Sequence, residues 1–450
     1  MSLSNEIVRA VRQRQSQGLS EDIRSKVILH IMDTIGISLA AYKGAPVALR
    51  AIQGISFGVE GGMGRVIGSA RCLPPAYASF ANTALAHALD YDDINDLARI
   101  HPTPVTLAAA LAAADAGPSR GTDLITAVGL GNELLCRLGH AIKPCGTGAD
   151  SKWFLSQLFG YLGAAITAGL ILGLNDDELI HALGLAYMQA AGGKESGVGT
   201  GSQARAIYPA FSSMGGVQAA LLAHAGITAP ASCLDGKTGF FRNYLGENLT
   251  EEHHSVLLNT ETWAFSHTSI KLFPSCRYSH PFIQSALELR KQFRLDEIKE
   301  IVIGINHTAN MLCQPLEQRC RPTTIQDAKF SIPYMVAFSF IHGRVNLNNL
   351  TEESLKDPLI LAFTDRIKIE QTQEDAPGIP LGDLKVIGTR GTKRKIKRID
   401  SETSVNEVKQ KFIECMQFGN VGDPERQWEL LSDHLDYDII NKLPILDTKE

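Results

Sequence analysis

"HPTPVTLAAALAAADAG", residues 101–117, opens on two prolines, continues in alanine and leucine, and stops at a glycine. Proline suits a first helical turn, where its missing N–H has no acceptor to lose, and glycine suits the position just past the last turn. The stretch therefore predicts a helix starting just after His101. Its side chains are small and apolar on every side, so it belongs in an interior where other helices cover it. The same texture recurs in "DLITAVGLGNELLCRLGHAI", "QLFGYLGAAITAGLILGL", "DDELIHALGLAYMQAAGG" and "FSSMGGVQAALLAHAGI". "EDIRSKVILHIMDTIGISLAAY" adds apolar residues at three- and four-residue spacing behind a Ser20 cap. From residue 5 to about 265 the reading is helix almost throughout.

After about 267 the texture changes. "IKEIVIGINHTA" and "DRIKIEQTQ" alternate as strands do, and "DLKVIGTRGTKRKIKRID" reads as a hairpin turning around Thr389 to Thr392. "TIQDAKFSIPYMVAFSFIHG" and "TEESLKDPLILAFTDR" between them read as helices, and the tail returns to amphipathic helix. The expected architecture is mainly α: a large all-helical domain over 1–266, completed by C-terminal helices over 401–450, with a smaller α+β domain inserted over 267–400.

With 450 residues, 44% of them hydrophobic and 20% charged, the chain has the composition of an ordinary globular protein long enough for two cores. A net charge of -5 gives no basic face for a nucleic acid. The basic run "RGTKRKIKR" (390–398) falls within the hairpin, where lysines commonly guard an edge strand. The most apolar run, "GAAITAGLILGL" (163–174), is short for a bilayer, so no membrane partner is expected. The polar start and eight dispersed cysteines without a C-x-x-C pair point to a cytoplasmic protein without disulfides or a zinc knuckle.

Three stretches carry chemistry. In "HALDYDDINDLARIHPTP" (87–104), Asp90 and Asp93 fall three apart on one helical face with His87 a turn back, and His101 sits just before the next helix. A carboxylate pair with an imidazole between apolar walls can take up and return protons. The plainer reading leaves Asp92, Asp96 and Arg99 solvated and Asp90 and Asp93 as backbone caps. "GGKESGVGTGSQARAIYPAF" (192–211) matches no nucleotide-binding pattern, and reads as a loop bringing Arg205 to a substrate carboxylate or as a simple interhelical connection. "KLFPSCRYSHP" (271–281) gathers Lys271, Cys276, Arg277 and His280 at the domain junction, a common place for a pocket, though such cations often only pair with neighbouring acids.

Taken together and in this order, "HALDYDD" followed by "HPTP", then "GTGSQAR", "KLFPSCRYSHP" and "DAKFSIPY" (327–334) resemble the MmgE/PrpD family, which includes 2-methylcitrate dehydratase, cis-aconitate decarboxylase and iminodisuccinate epimerase. The resemblance implies a helical domain and a smaller α+β domain, usually in a homodimer, with the active site between them. It also implies acid/base chemistry beside a carboxylate, with no cofactor and no metal. By position, Asp93 and His101 match the acidic motif and the active-site histidine, Lys271 and Arg277 the substrate-facing stretch, and Tyr334 an active-site tyrosine.

Some positions depart from the family pattern. Ile94 replaces the usual Ser or Thr, Phe154 and Leu155 stand where His-Pro is usual, and Arg205, Ile207 and Tyr208 replace Lys and Leu-His. Arg205 can grip a carboxylate but gives up a proton far less readily than lysine. The expected pocket is thus less polar, and its substrate carries fewer carboxylates or a larger apolar part than citrate analogues. The expected function is a cofactor-independent lyase or isomerase of a small organic acid. His101, Asp93 and Tyr334 would move protons, and Asp90, Phe154, Arg205, Lys271, Cys276 and Arg277 would line the substrate. The alternatives are a non-catalytic, dimeric ligand-binding relative and, third, a metal-dependent enzyme using Asp90, Asp93 and His101.

Overall fold

The computed structural model describes all residues except 118–120, 143–151, 198–201, 247–248, 376–377, 392, 399–402, 437–439, 441–442 and 444–450. The helix read from 101–117 spans Thr103–Ala116, with Pro102 at its N-cap and Gly117 at its C-cap. Every residue from Thr103 to Ala113 in it is buried. Ser20 caps the helix Glu21–Gly44 by accepting from the Ile23 N–H. Small residues set the spacing of the innermost helices. A Cβ at Gly216, on Tyr208–His224, would stand 2.4 Å from that of Ala164, on Gly160–Leu172. Any side chain there would push the two backbones apart. The apolar stretch Leu155–Leu172 is long enough to cross a membrane, yet 89% of it is buried inside the fold.

One core runs from Leu3 through Ile270 and includes Val408, Phe412, Met416, Trp428 and Leu431 of the two C-terminal helices, Val405–Phe418 and Pro424–His434. A separate core spans Phe282 to Val386. It is built on a four-stranded sheet in the order 367–371, 298–305, 382–388, 393–398. The first pair is parallel, Ile301 opposite Ile367, and the others are antiparallel. The helix His280–Arg290 lies against the strand 382–388, where Ser285 Oγ donates to the Gly382 carbonyl at 2.7 Å.

The stretch 324–343 is two helices rather than one, Ile325–Lys329 and Ile332–His342. Ser331 breaks the run because its hydroxyl caps the second helix at Tyr334 N. The hairpin is present between 382–388 and 393–398, although Thr392 in its turn lies outside the described residues. Ile94–Asn95 pairs antiparallel with Thr268–Ser269. This short ribbon lays the acidic segment against the chain that enters the second core.

Candidate active site

The helix Pro75–His87 ends sooner than the acid spacing suggests. Asp90 takes a left-handed backbone, φ 54°, which breaks the helix, and its N–H donates to the His87 carbonyl at 2.8 Å. Aspartate tolerates this conformation better than most residues. Residues 88–93 are therefore a loop, and Asp90 and Asp93 do not share a helical face.

Three acids of this loop go to three different partners. Asp92, expected in solvent, is fully buried. Its Oδ2 accepts from His87 Nδ1 at 2.8 Å and lies 3.1 Å from His101 Nδ1. Burial alone would raise its carboxyl, but the His101 and His87 imidazoles overcome it and hold it well below the usual range. The Asp93 carboxylate, expected to orient His101, turns away from it. It takes His30 Nδ1 at 2.7 Å and the Thr103 hydroxyl at 2.5 Å. Asp93 still serves His101 through its backbone, because its carbonyl accepts from His101 Nδ1 at 2.7 Å. The orienting carboxylate is thus Asp92, one residue earlier. Asp90 Oδ1 pairs with Lys271 Nζ at 2.8 Å. Burial opposes ionisation of Asp90, yet Lys271, then His87 and Arg205, keep it below the usual carboxylate range.

Both neighbours of His101 Nδ1 are acceptors, so that nitrogen carries the hydrogen and Nε2 of the neutral ring is the one able to exchange a proton. The rings of His87 and His101 stand edge to face at 4.9 Å, and Tyr208 closes on His87 at the same distance. A cleft with about 260 Å³ of empty space, part of it open to solvent, is lined by His87, Ala88, Asp90, His101, Arg205, Ala206, Tyr208 and Gln326. Phe154 stacks on Tyr208 at 4.4 Å. The Arg205 guanidinium lies over Phe330 at 4.0 Å and near Phe154 at 5.8 Å, and pairs with no acid among the described residues. Asp90 Oδ2 is buried and likewise unpartnered among them. This arrangement offers an oriented imidazole, a low-lying carboxylate and a guanidinium that pairs with no acid among the described residues, around a small space.

The remaining expected residues fall elsewhere. Tyr334 is buried in the second core, its hydroxyl donating to the Ser354 carbonyl at 2.8 Å and pushed up to about 12 by burial, and it does not line the cleft. Arg277 grips Asp96 with Nε and a terminal nitrogen, both at 2.8 Å, so it and Asp96 form a structural pair at the junction. Cys276 lies near Asp90 and Lys271, and burial pushes its thiol up, away from thiolate chemistry. The trio Asp90, Asp93 and His101 is not assembled for a metal because the Asp93 carboxylate faces His30. Donor atoms of His87, Asp92 and His101 do lie within 4.8 Å of one another, a set that could hold a cation with both imidazoles neutral and the unprotonated nitrogen of each turned to it. The glycines of the loop at 198–201 lie outside the described residues.

Profiles of the MmgE/PrpD N-terminal and C-terminal domains match residues 5–253 and 273–436. The chain belongs to the MmgE/PrpD family. Among curated relatives, cis-aconitate decarboxylase of Aspergillus terreus is 25% identical over 332 residues, a stretch covering 69% of this chain and 66% of that protein. A cis-aconitate decarboxylase-like protein, oryM, of Aspergillus oryzae is 26% identical over 338 residues, covering 70% and 68%. The matched stretch thus leaves about a third of each relative's length unspanned.

Within this MmgE/PrpD chain, residues that spacing did not single out surround the site. Lys329 is buried, donates to the Leu89 carbonyl at 2.5 Å, and is pushed down to about 8 by burial, with Asp90 opposing and Lys271 reinforcing the shift. Lys411 pairs with Asp33 at 2.7 Å, also in the interior. For Lys329 the signal was its place in "DAKFSIPY", a lysine in an otherwise apolar stretch. Lys411, in "VKQKFIECM", looks like any solvated helix lysine.

Proposed function

We propose that this MmgE/PrpD protein is a lyase or isomerase that moves a proton on a small organic acid without a cofactor, of the dehydratase or decarboxylase kind. The observation that carries this reading is the pairing of Asp92 with both His87 and His101, which leaves His101 Nε2 as the exchangeable nitrogen of a ring that lines the same cleft as Arg205. His101 acts as base or acid. Asp92 stabilises the imidazolium that forms when it takes a proton. His87 shares that carboxylate and completes the orientation.

Arg205 anchors one substrate carboxylate, which a guanidinium can hold through two parallel hydrogen bonds. Lys271 and Arg277 are already occupied by Asp90 and Asp96, so the cations left for further carboxylates are few. Phe154 and Tyr208 give the cleft an apolar, aromatic wall beside the anchor. The substrate class is therefore an unsaturated or hydroxylated acid with one or two carboxylates and an apolar portion. The relatives named for cis-aconitate support a decarboxylation or dehydration over a redox step.

A panel of mono-, di- and tricarboxylates, scored by kcat/KM, tests this. Turnover concentrated on acids with one or two carboxylates supports the reading. A preference for tricarboxylates would overturn the substrate class, and thermal stabilisation by acids without any turnover would overturn the enzyme in favour of a ligand-binding relative.

A further inference from the structure

Three ammonium groups from three separate parts of the chain end on three consecutive carbonyls of the site loop. Lys329 Nζ donates to Leu89 O at 2.5 Å, Lys271 Nζ to Asp90 O at 2.9 Å, and Lys411 Nζ to Tyr91 O at 2.8 Å. All three lysines are buried. The loop they hold has left its helix, carries the left-handed Asp90, and bears the Asp90 and Asp92 carboxylates. A backbone in that conformation persists only where its surroundings over-determine it.

Lys271 and Lys329 belong to the site's immediate surroundings, the first through its pair with Asp90, the second on the helix that carries Gln326. Lys411 is different. It sits on the helix Val405–Phe418, pairs with Asp33 of Glu21–Gly44, and lays its ammonium over the Tyr91 ring at 3.9 Å. Neither Lys411 nor Asp33 lines the cleft. Val408, Phe412 and Cys415 of the same helix are plain core residues. Apolar residues of similar volume commonly match a buried ion pair in stability, so stability alone does not account for a charge here.

We infer that Lys411 is a positioning residue for the cleft: with Lys271 and Lys329 it clamps the carbonyls of residues 89–91, and so sets how Asp90 and Asp92 present their carboxylates to His87 and His101. The C-terminal helix thereby belongs to the site without touching substrate. The kinetic consequence of this clamp rests on the function proposed above. The structural consequence does not.

The test uses the full chain carrying K411M, and D33N/K411M, which removes both charges and leaves no unpaired buried ion. Two readouts are needed: the Nδ1–H signals of His87 and His101 in protein labelled with 15N-histidine, and kcat and KM on whichever acid the wild type turns over. The expected result for D33N/K411M is cooperative melting within a few degrees of wild type, displaced or broadened imidazole signals, and a kcat at least tenfold lower with KM within threefold. K411M should show the same signal changes with a larger loss of melting temperature. Imidazole signals and kcat at wild-type values in a folded double variant would overturn the inference. So would failure of the double variant to fold, because Lys411 would then hold the fold rather than aim the loop. Absence of turnover by the wild type on every acid would sink the proposed function alone, and the imidazole signals would still decide the role of Lys411.

Discussion

Replacing Asp92 by asparagine and, in parallel, Asp93 by asparagine separates the two acids that the sequence leaves side by side. Asp92→Asn removes a negative charge 3.1 Å from His101 Nδ1 and 2.8 Å from His87 Nδ1. At an effective dielectric of about 20, a unit charge at that separation stabilises an imidazolium by at most ~5 kcal/mol. A hydrogen bond to a charged group contributes a net ~1.5–3 kcal/mol. His101 keeps the Asp93 carbonyl at 2.7 Å and with it the correct tautomer, so the loss should follow the smaller figure. That corresponds to a fall in kcat of roughly 10- to 150-fold.

Asp93→Asn leaves that carbonyl in place and instead breaks the buried contacts to His30 and Thr103. Removing one partner of a buried pair costs about 3–5 kcal/mol of stability, whereas kcat per folded molecule should stay within about threefold because no charge is lost at His101. The assay is saturating turnover of the best acid from the panel, normalised to folded protein, beside urea unfolding of each variant. The reasoning fails if Asp93→Asn abolishes kcat while Asp92→Asn keeps it.

Arg205→Met should raise KM about 10- to 150-fold with kcat changed only a few-fold, since it removes a charged anchor of ~1.5–3 kcal/mol that ground and transition states share; steady-state kinetics read this directly. Tyr334→Phe should leave kcat within twofold and lower unfolding free energy by ~1–3 kcal/mol, because the hydroxyl it removes satisfies the Ser354 carbonyl in the second core. For Lys329 the folded group lies at about 8 and the free side chain at 10.5, so the unfolded chain binds more protons between those values. Stability from this group should therefore rise by up to ~3 kcal/mol as pH climbs from 8 to 10.5. Urea unfolding of wild type and K329M across that range should show their stability difference moving in the wild type's favour by up to ~3 kcal/mol, because the other titrating groups act on both proteins alike, and parallel curves would refute it.

The fold was legible because its elements are punctuated locally. Prolines, Ser20 and Gly117 mark helix ends, and the all-round small residues between them leave an interior bundle as the way to bury such helices. The acid motif stands out in the sequence, but its geometry does not follow from its spacing. Spacing places Asp90 and Asp93 on one helical face, and nothing in the letters announces that Asp90 turns left-handed and that the Asp92 carboxylate, rather than that of Asp93, faces His101. Arg205 lines the cleft. Arg277 did not stay free because Asp96, read as solvated, lies across the ribbon 94–95/268–269 from it, a pairing fixed only by tertiary register. The three lysines on residues 89–91 come from positions 271, 329 and 411, and only the packed chain shows that they converge.

Solvent-deuterium incorporation into the acid that the protein turns over, compared between wild type and His101→Gln at saturating substrate, addresses the central claim most directly. Where the reaction delivers a proton to carbon, as decarboxylation, epimerisation and the hydration direction of a dehydratase do, transfer through His101 places deuterium on that carbon in the wild type and predicts at least a hundredfold loss of that incorporation in the variant. Incorporation at the wild-type rate in a folded His101→Gln protein would contradict it.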